Sequence, residues 1–108
     1  MEEPVKRKWG QYQVLSCNGI YKIKELIINP MCGISHQLHY KRAEHWYILS
    51  GLAQVTLGSR VFNVTKGYNI DIPMKEKHRI CNIGKEPVHL IEIQTGSYFG
   101  EDDIKRFS

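Results

Sequence analysis

Gln37-Leu38-His39-Tyr40-Lys41-Arg42-Ala43-Glu44-His45-Trp46, followed by Gly51, is the stretch from which the rest of the chain is read. In an extended strand successive side chains point to opposite faces, so Gln37 and His39 present an amide oxygen and an imidazole on one side. Tyr40 to Ala43 allow a bend, after which Glu44 can bring a carboxylate back toward the same point, and His45 to Leu49 resume a strand-like run. A fourth potential ligand lies downstream. Gly67, the short apolar run to Ile72 and the stop at Pro73 lead to His78 and Asn82. Gln37, His39, Glu44 and His78 together describe a mixed N/O site for a divalent metal, without thiolates.

Working outward, the strands read as follows. Residues 12–17 and 20–28 are runs rich in β-branched and apolar residues joined by Asn18-Gly19, a strong hairpin signal. In the second run Tyr21, Ile23, Ile27 and Ile28 read as core, with Lys22 and Lys24 on an opposite, solvated face. Asn29-Pro30 stops the run. Residues 33–39 form the first ligand strand and 45–50 its continuation. Residues 52–57 and 60–64 form a second hairpin across Gly58-Ser59. Residues 68–72, 78–83 and 88–94 complete the strands. Only 101–107 reads as helical, with acids in its first turn and Lys105 and Arg106 in its last, as the helix dipole favours. Short strands without intervening helices predict antiparallel sheets in a sandwich or barrel, all-β and jelly-roll-like, with a short C-terminal helix.

The composition is that of an ordinary globule. At 108 residues there is room for one domain, 1–108, and 42% hydrophobic with 24% charged residues suits a folded core. No apolar run approaches a membrane span, and Met1-Glu-Glu-Pro-Val-Lys-Arg-Lys does not read as a secretory signal, so a cytoplasmic protein is expected. The net charge of +4 is scattered and interrupted by acids, which argues against nucleic-acid binding and for a small anionic ligand. Cys17, Cys32 and Cys81 lack the paired spacing of zinc or redox motifs and read as structural thiols, with Cys17 and Cys81 expected as small buried thiols among strand residues. Trp9 and Trp46 read as core or interface aromatics. His36, His45 and His89 are read as ordinary strand residues, the first two pointing away from the ligand cluster.

The first stretch resembles cupin motif one in its variant with Gln at the first His position, and Gly67 to Asn82 resembles cupin motif two. More narrowly, Gln37-x-His39-x-x-Arg42-Ala43-Glu44-His45-Trp46, Ile91-Glu92-x-Gln94-x-Gly96 and Gly100-Glu101-Asp102-Asp103-Ile104-x-Arg106-Phe107 resemble the type II phosphomannose isomerases. In that family this module commonly follows a mannose-1-phosphate guanylyltransferase domain, for which 108 residues leave no room. The resemblance implies interconversion of mannose 6-phosphate and fructose 6-phosphate, aided by a divalent ion such as Zn, Mn, Co, Fe or Ni at Gln37, His39, Glu44 and His78. Glu92, two residues from Gln94 on one strand face, is the candidate general base. Arg42 offers a planar fork for phosphate and Arg106 a second cation, with Gln94 and Lys41 beside them as substrate-binding candidates.

Three positions depart from the pattern. Met31 and Lys75 stand where the family usually has Gly, both at turns. Lys41 replaces a second motif-one His, removing a possible ligand and adding a positive charge. A stand-alone metal-dependent sugar-phosphate isomerase is the leading expectation, as a homodimer by analogy with small cupins, with a separately encoded nucleotidyltransferase as a possible partner. The competing readings are a noncatalytic cupin that binds metal and sugar, and a small iron-dependent cupin oxygenase.

Overall fold

The computed structural model describes residues 1–108 as eleven strands in two antiparallel sheets, with no helix. The strands are β1 (Val5–Arg7), β2 (Gly10–Cys17), β3 (Tyr21–Ile28), β4 (Gln37–Leu38), β5 (Arg42–Ser50), β6 (Ala53–Leu57), β7 (Arg60–Val64), β8 (Asn69–Ile72), β9 (His78–Asn82), β10 (Val88–Gly96) and β11 (Lys105–Arg106). One sheet runs β1-β2-β3-β10-β5-β8 and the other β11-β4-β9-β6-β7. Trp46, Ile48, Val55, Val64, Ile80, Val88 and Leu90 are among the residues that fill the space between them, each fully excluded from solvent. Burial of a side chain of this size contributes roughly 1.5–3 kcal/mol, so the alternation of these residues along their strands fixes which face is inside. The antiparallel sandwich and both hairpins are as the sequence predicts.

β3 is turned over relative to the sequence reading. Leu26 and Ile28 face the core, and Lys24, with 4% of its surface exposed, shares their face, while Tyr21, Ile23 and Ile27 are only half-buried. Both faces of this strand carry apolar residues, so alternation alone leaves its orientation open. The partner that admits Lys24 to the interior lies 77 residues away: the Lys24 Nζ donates to both carboxylate oxygens of Glu101 at 2.9 Å.

The C-terminal segment is also not helical. Residues 101–103 form turns, and β11 pairs with β4 instead, Arg106 opposite Gln37. Seven residues gain too little from local hydrogen bonds to hold a helix, whereas here their polar groups find tertiary partners. The Asp103 carboxylate accepts from the backbone N–H of Tyr40 and of Lys41, and the Phe107 N–H donates to the His36 carbonyl.

The first ligand strand is shorter than 33–39. Only Gln37 and Leu38 pair as a strand, Gly33 makes an isolated bridge to Cys81, and the bend falls at Tyr40-Lys41 because β5 already begins at Arg42. Cys17 is exposed at the end of β2 rather than buried, while Cys32 and Cys81 are half-buried. Met31 and Lys75 adopt φ of 64° and 68°, the left-handed conformation that favours glycine. At Lys75 this turn aims the backbone N–H at the His39 carbonyl, 2.7 Å away, so the second motif's loop buttresses the first. Gly96, at φ 151°, lets β10 pass the bend: a Cβ there would lie 2.2 Å from the Lys41 carbonyl oxygen.

Candidate active site

His39, Glu44 and His78 converge, with donor atoms all within 4.8 Å of one another, and all three are buried. They come from the loop after β4, from the inward face of β5, and from the first residue of β9, which pairs with Gln37. The His39 Nδ1–H donates to the Asp103 carbonyl at 2.7 Å and the His78 Nδ1–H to the Glu76 carbonyl at 2.9 Å. A carbonyl can only accept, so each bond fixes the tautomer and leaves Nε2 unprotonated, with a lone pair able to accept. Both lone pairs face Glu44: His39 Nε2 lies 3.2 Å from Oε2 and His78 Nε2 lies 3.8 Å from Oε1.

Lone pairs turned toward a carboxylate repel it unless a cation stands between them. His78 Nε2 is buried and has no hydrogen-bond partner at all. Burial first, helped by the Arg42 charge, pushes the His39 imidazole down to about 4 and lowers that of His78, so both remain neutral bases at ordinary pH. Two neutral imidazoles, one carboxylate and an orphaned nitrogen fit a divalent ion. Gln37 lies beside them, its Nε2 3.4 Å from His39 Nε2 while its Oε1 accepts from Ser35. Half a turn of this amide, whose two ends are isosteric, would aim the oxygen at the same point. The four residues selected from the sequence are therefore adjacent.

Arg42 supplies the positive charge here. Its Nε and Nη2 donate to Glu44 Oε2 at 3.0 and 2.9 Å, and Nη2 also donates to His39 Nε2 at 3.2 Å. Only Nη1, buried and without a partner, is left for another ligand. The guanidinium thus presents one free edge, not the two-pronged fork expected for phosphate.

Glu92 and Gln94 point inward from β10 and are both buried, with the Gln94 Nε2–H donating to Glu92 Oε2 at 2.8 Å. The Trp46 indole N–H is shared between Glu44 Oε1 and Glu92 Oε1, 3.1 Å from each. Burial first, then the negative charge of Glu44, pushes the Glu92 carboxyl up to about 7. The sequence reading placed Trp46 in the core and missed this bridge. Its one available signal was that Glu44 and Trp46 lie two apart on a strand and hence share a face.

A cavity of about 260 Å³ opens beside these groups, lined by Gln37, His39, Arg42 and Glu92, and on its other side by Arg7, Trp9, Tyr12, Lys24, Glu101 and Arg106. Arg106 reaches it from β11 and is exposed. Gln94 supports Glu92 from behind without lining the cavity. Lys41 also lies outside it, exposed, with its ammonium 5.1 Å from the Tyr98 ring. His45 points away from the cluster, as its position predicts, and pairs with Asp71 at 2.5 Å and Asn69 at 3.0 Å.

A jelly roll of two antiparallel sheets that gathers two histidines and a glutamate beside an inner cavity is a cupin. In fold the chain is similar to Lactobacillus farciminis oxalate decarboxylase, with a TM-score of 0.84 at 22% identity over 97% of this chain and 33% of that one. It is also similar to the Schizosaccharomyces pombe Cnp3 cupin domain, with a TM-score of 0.74 at 19% identity over 80% of this chain and 64% of that one. Among cupins the chain belongs to the family described as mannose-6-phosphate isomerase C-terminal, whose model matches residues 1–108. It is 44% identical over 103 residues to the alginate biosynthesis protein AlgA of Pseudomonas putida, covering 95% of this chain and 21% of that one. Similar values hold for the xanthan biosynthesis protein XanB of Xanthomonas campestris (44% identity, 95% and 22%) and the mannose-1-phosphate guanylyltransferase of Salmonella montevideo (43%, 96% and 22%). The chain thus spans about a fifth of the length of these relatives. No helix is long and apolar enough to cross a membrane.

Proposed function

We propose that this cupin domain interconverts mannose 6-phosphate and fructose 6-phosphate with the help of a divalent ion held by Gln37, His39, Glu44 and His78. The observation that carries the reading is the buried Glu92, joined to Glu44 through the Trp46 indole N–H and open to the same cavity, where burial pushes its carboxyl up to about 7. An aldose–ketose isomerisation needs one group that takes a proton from the carbon beside a carbonyl and returns it to the neighbouring carbon. A carboxylate poised near neutrality does both. A bound divalent ion supplies Lewis-acid stabilisation of the negative charge that develops on the sugar oxygens.

The chain's own residues do the rest. Trp46 and Gln94 donate to Glu92 and hold its carboxylate facing the cavity. Arg42 orients Glu44 and offers Nη1 to a substrate oxygen, and Arg106 adds positive charge at the rim for the phosphate. The names of the guanylyltransferase relatives further suggest a mannose-1-phosphate guanylyltransferase activity as the functional partner. The test is to strip the protein of metal, reload it with Mn, Zn, Co, Fe or Ni, and follow interconversion of the two sugar phosphates. Turnover that needs the ion and disappears in His78→Ala is the expected outcome. A folded, metal-loaded protein with no turnover would sink the proposal.

A further inference from the structure

The cavity wall carries Lys24, with Lys22 beside it on β3, a pair of lysines that the site chemistry above does not use. Lys24 is 96% buried, and in the β3–β10 register it stands directly opposite Glu92, with Lys22 opposite Gln94. Both ammonium groups converge on one carboxylate: Glu101 Oε2 lies 3.1 Å from Lys22 Nζ and 2.9 Å from Lys24 Nζ. Lys24 also lies 4.3 Å from the centroid of the Tyr12 ring, which carries Arg7 on it at 5.4 Å. Two ammonium groups thus share the single carboxylate of Glu101. Glu101 is the replaceable member. Its side chain is half-exposed and sits in a turn, whereas Lys24 is fixed in the middle of a sheet.

We propose that Lys24 and Lys22 form the anion-binding subsite of this cavity, that the Glu101 carboxylate occupies it in the absence of ligand, and that a phosphate monoester displaces Glu101 on binding. The proposal deepens the sugar-phosphate reading and rests on it for the identity of the ligand. A phosphoryl group carries close to two negative charges and three acceptor oxygens, so it matches two ammonium groups better than one carboxylate does. Arg42 cannot take that role while Nε and Nη2 are committed to Glu44. With phosphate on Lys24, the rest of the sugar extends along the cavity toward Glu92 on the adjoining strand.

Inorganic phosphate, titrated calorimetrically into the metal-free protein, tests the subsite without requiring turnover. Lys24→Gln is expected to weaken phosphate binding roughly tenfold or more, as for loss of a charge-assisted hydrogen bond. Lys22→Gln, near the cavity edge, weakens it less, and Arg106→Gln also less than Lys24→Gln. Glu101→Gln removes the internal competitor and tightens binding. Opposite signs for Lys24→Gln and Glu101→Gln are the signature. Should Glu101→Gln weaken binding as Lys24→Gln does, or both the wild type and Glu101→Gln fail to bind phosphate, the inference is overturned. If Lys24→Gln does not fold, Lys22→Gln and Glu101→Gln must still move in opposite directions. Phosphate binding of this pattern in a protein without isomerase turnover keeps the subsite and removes the proposed reaction, whereas turnover with unaltered phosphate binding in the lysine variants does the reverse.

Discussion

On one side of the site His39, Glu44 and His78 are all buried, of which His39 lines the cavity, and the two ring orientations are set by backbone carbonyls. On the other, Lys24 is equally buried, yet its partner Glu101 is half in solvent and hangs from a turn. The first wall is largely preorganised: the two imidazoles are held with Nε2 toward Glu44, so a ligand pays little to order them beyond displacing the Arg42 Nη2 bond and turning the Gln37 amide. The second is compensated, its charge balanced by a group that can leave. Preorganisation suits the chemistry of a cation and a proton, and compensation suits the entry and exit of a charged ligand.

Substitutions on the two walls should therefore separate. His78→Ala removes a ligand whose Nε2 has no other partner, and metal affinity should fall by about two orders of magnitude or more, read from metal content after dialysis. A variant that retains metal as the parent does would break the ligand assignment.

Glu92→Gln should abolish turnover while leaving metal content intact, and it should also change how stability depends on pH. Because the folded carboxyl lies at about 7, above its ordinary value of 4.5, the native state holds a proton that the unfolded chain has lost between those values. Its contribution is complete below pH 4.5 and is lost as pH rises through 7, a decline of up to about 3 kcal/mol for a fully buried group. Denaturant unfolding of the metal-free protein should show the parent falling relative to Glu92→Gln over that window. Parallel curves would show that Glu92 is not raised.

Trp46→Phe keeps the ring and removes the N–H shared by two carboxylates. The expected cost is about 1–3 kcal/mol, with the alkaline-rising limb of the activity profile moved to higher pH because ionised Glu92 has lost a donor. Glu101→Gln, on the compensated wall, should lower stability at pH 7 by about 1–2 kcal/mol, since Glu101 is half-exposed but Lys24 is left buried with its charge uncompensated. Burial works to raise the Glu101 carboxyl, but the Lys24 and Lys22 ammonium groups hold it at about 2. The stabilisation this gives is present above pH 4.5 and lost as pH falls through 2, so parent and Glu101→Gln curves should converge in acid. Lys75→Gly and Met31→Gly relieve left-handed backbone and should each raise stability by about 0.5–1 kcal/mol, measured by thermal melting.

The same contrast explains what was legible in the sequence. Gln37, His39 and Glu44 are close in the chain, and two motifs with strand alternation suffice to bring them to His78. The turn positions Met31 and Lys75 were legible only through the resemblance to a family that usually has Gly at both. The orientation of β3, the strand character of Lys105-Arg106 and the burial of Lys24 depend on partners 64 to 77 residues away, such as His39 with Asp103 and Lys24 with Glu101. Acids followed by bases at 101–106 satisfy a helix dipole as well as they satisfy two walls of a cavity. Only the tertiary structure decides between them.

The most direct test of the central claim is isomerisation of mannose 6-phosphate in D₂O by the metal-loaded protein, with proton NMR of the fructose 6-phosphate formed. If Glu92 carries the proton between the two carbons, C1 of the product should receive either the substrate's own proton or deuterium exchanged onto the Glu92 carboxyl before its return, and Glu92→Gln should give neither product nor exchange while still holding its metal. Product formation or exchange by Glu92→Gln at the wild-type rate would contradict the account.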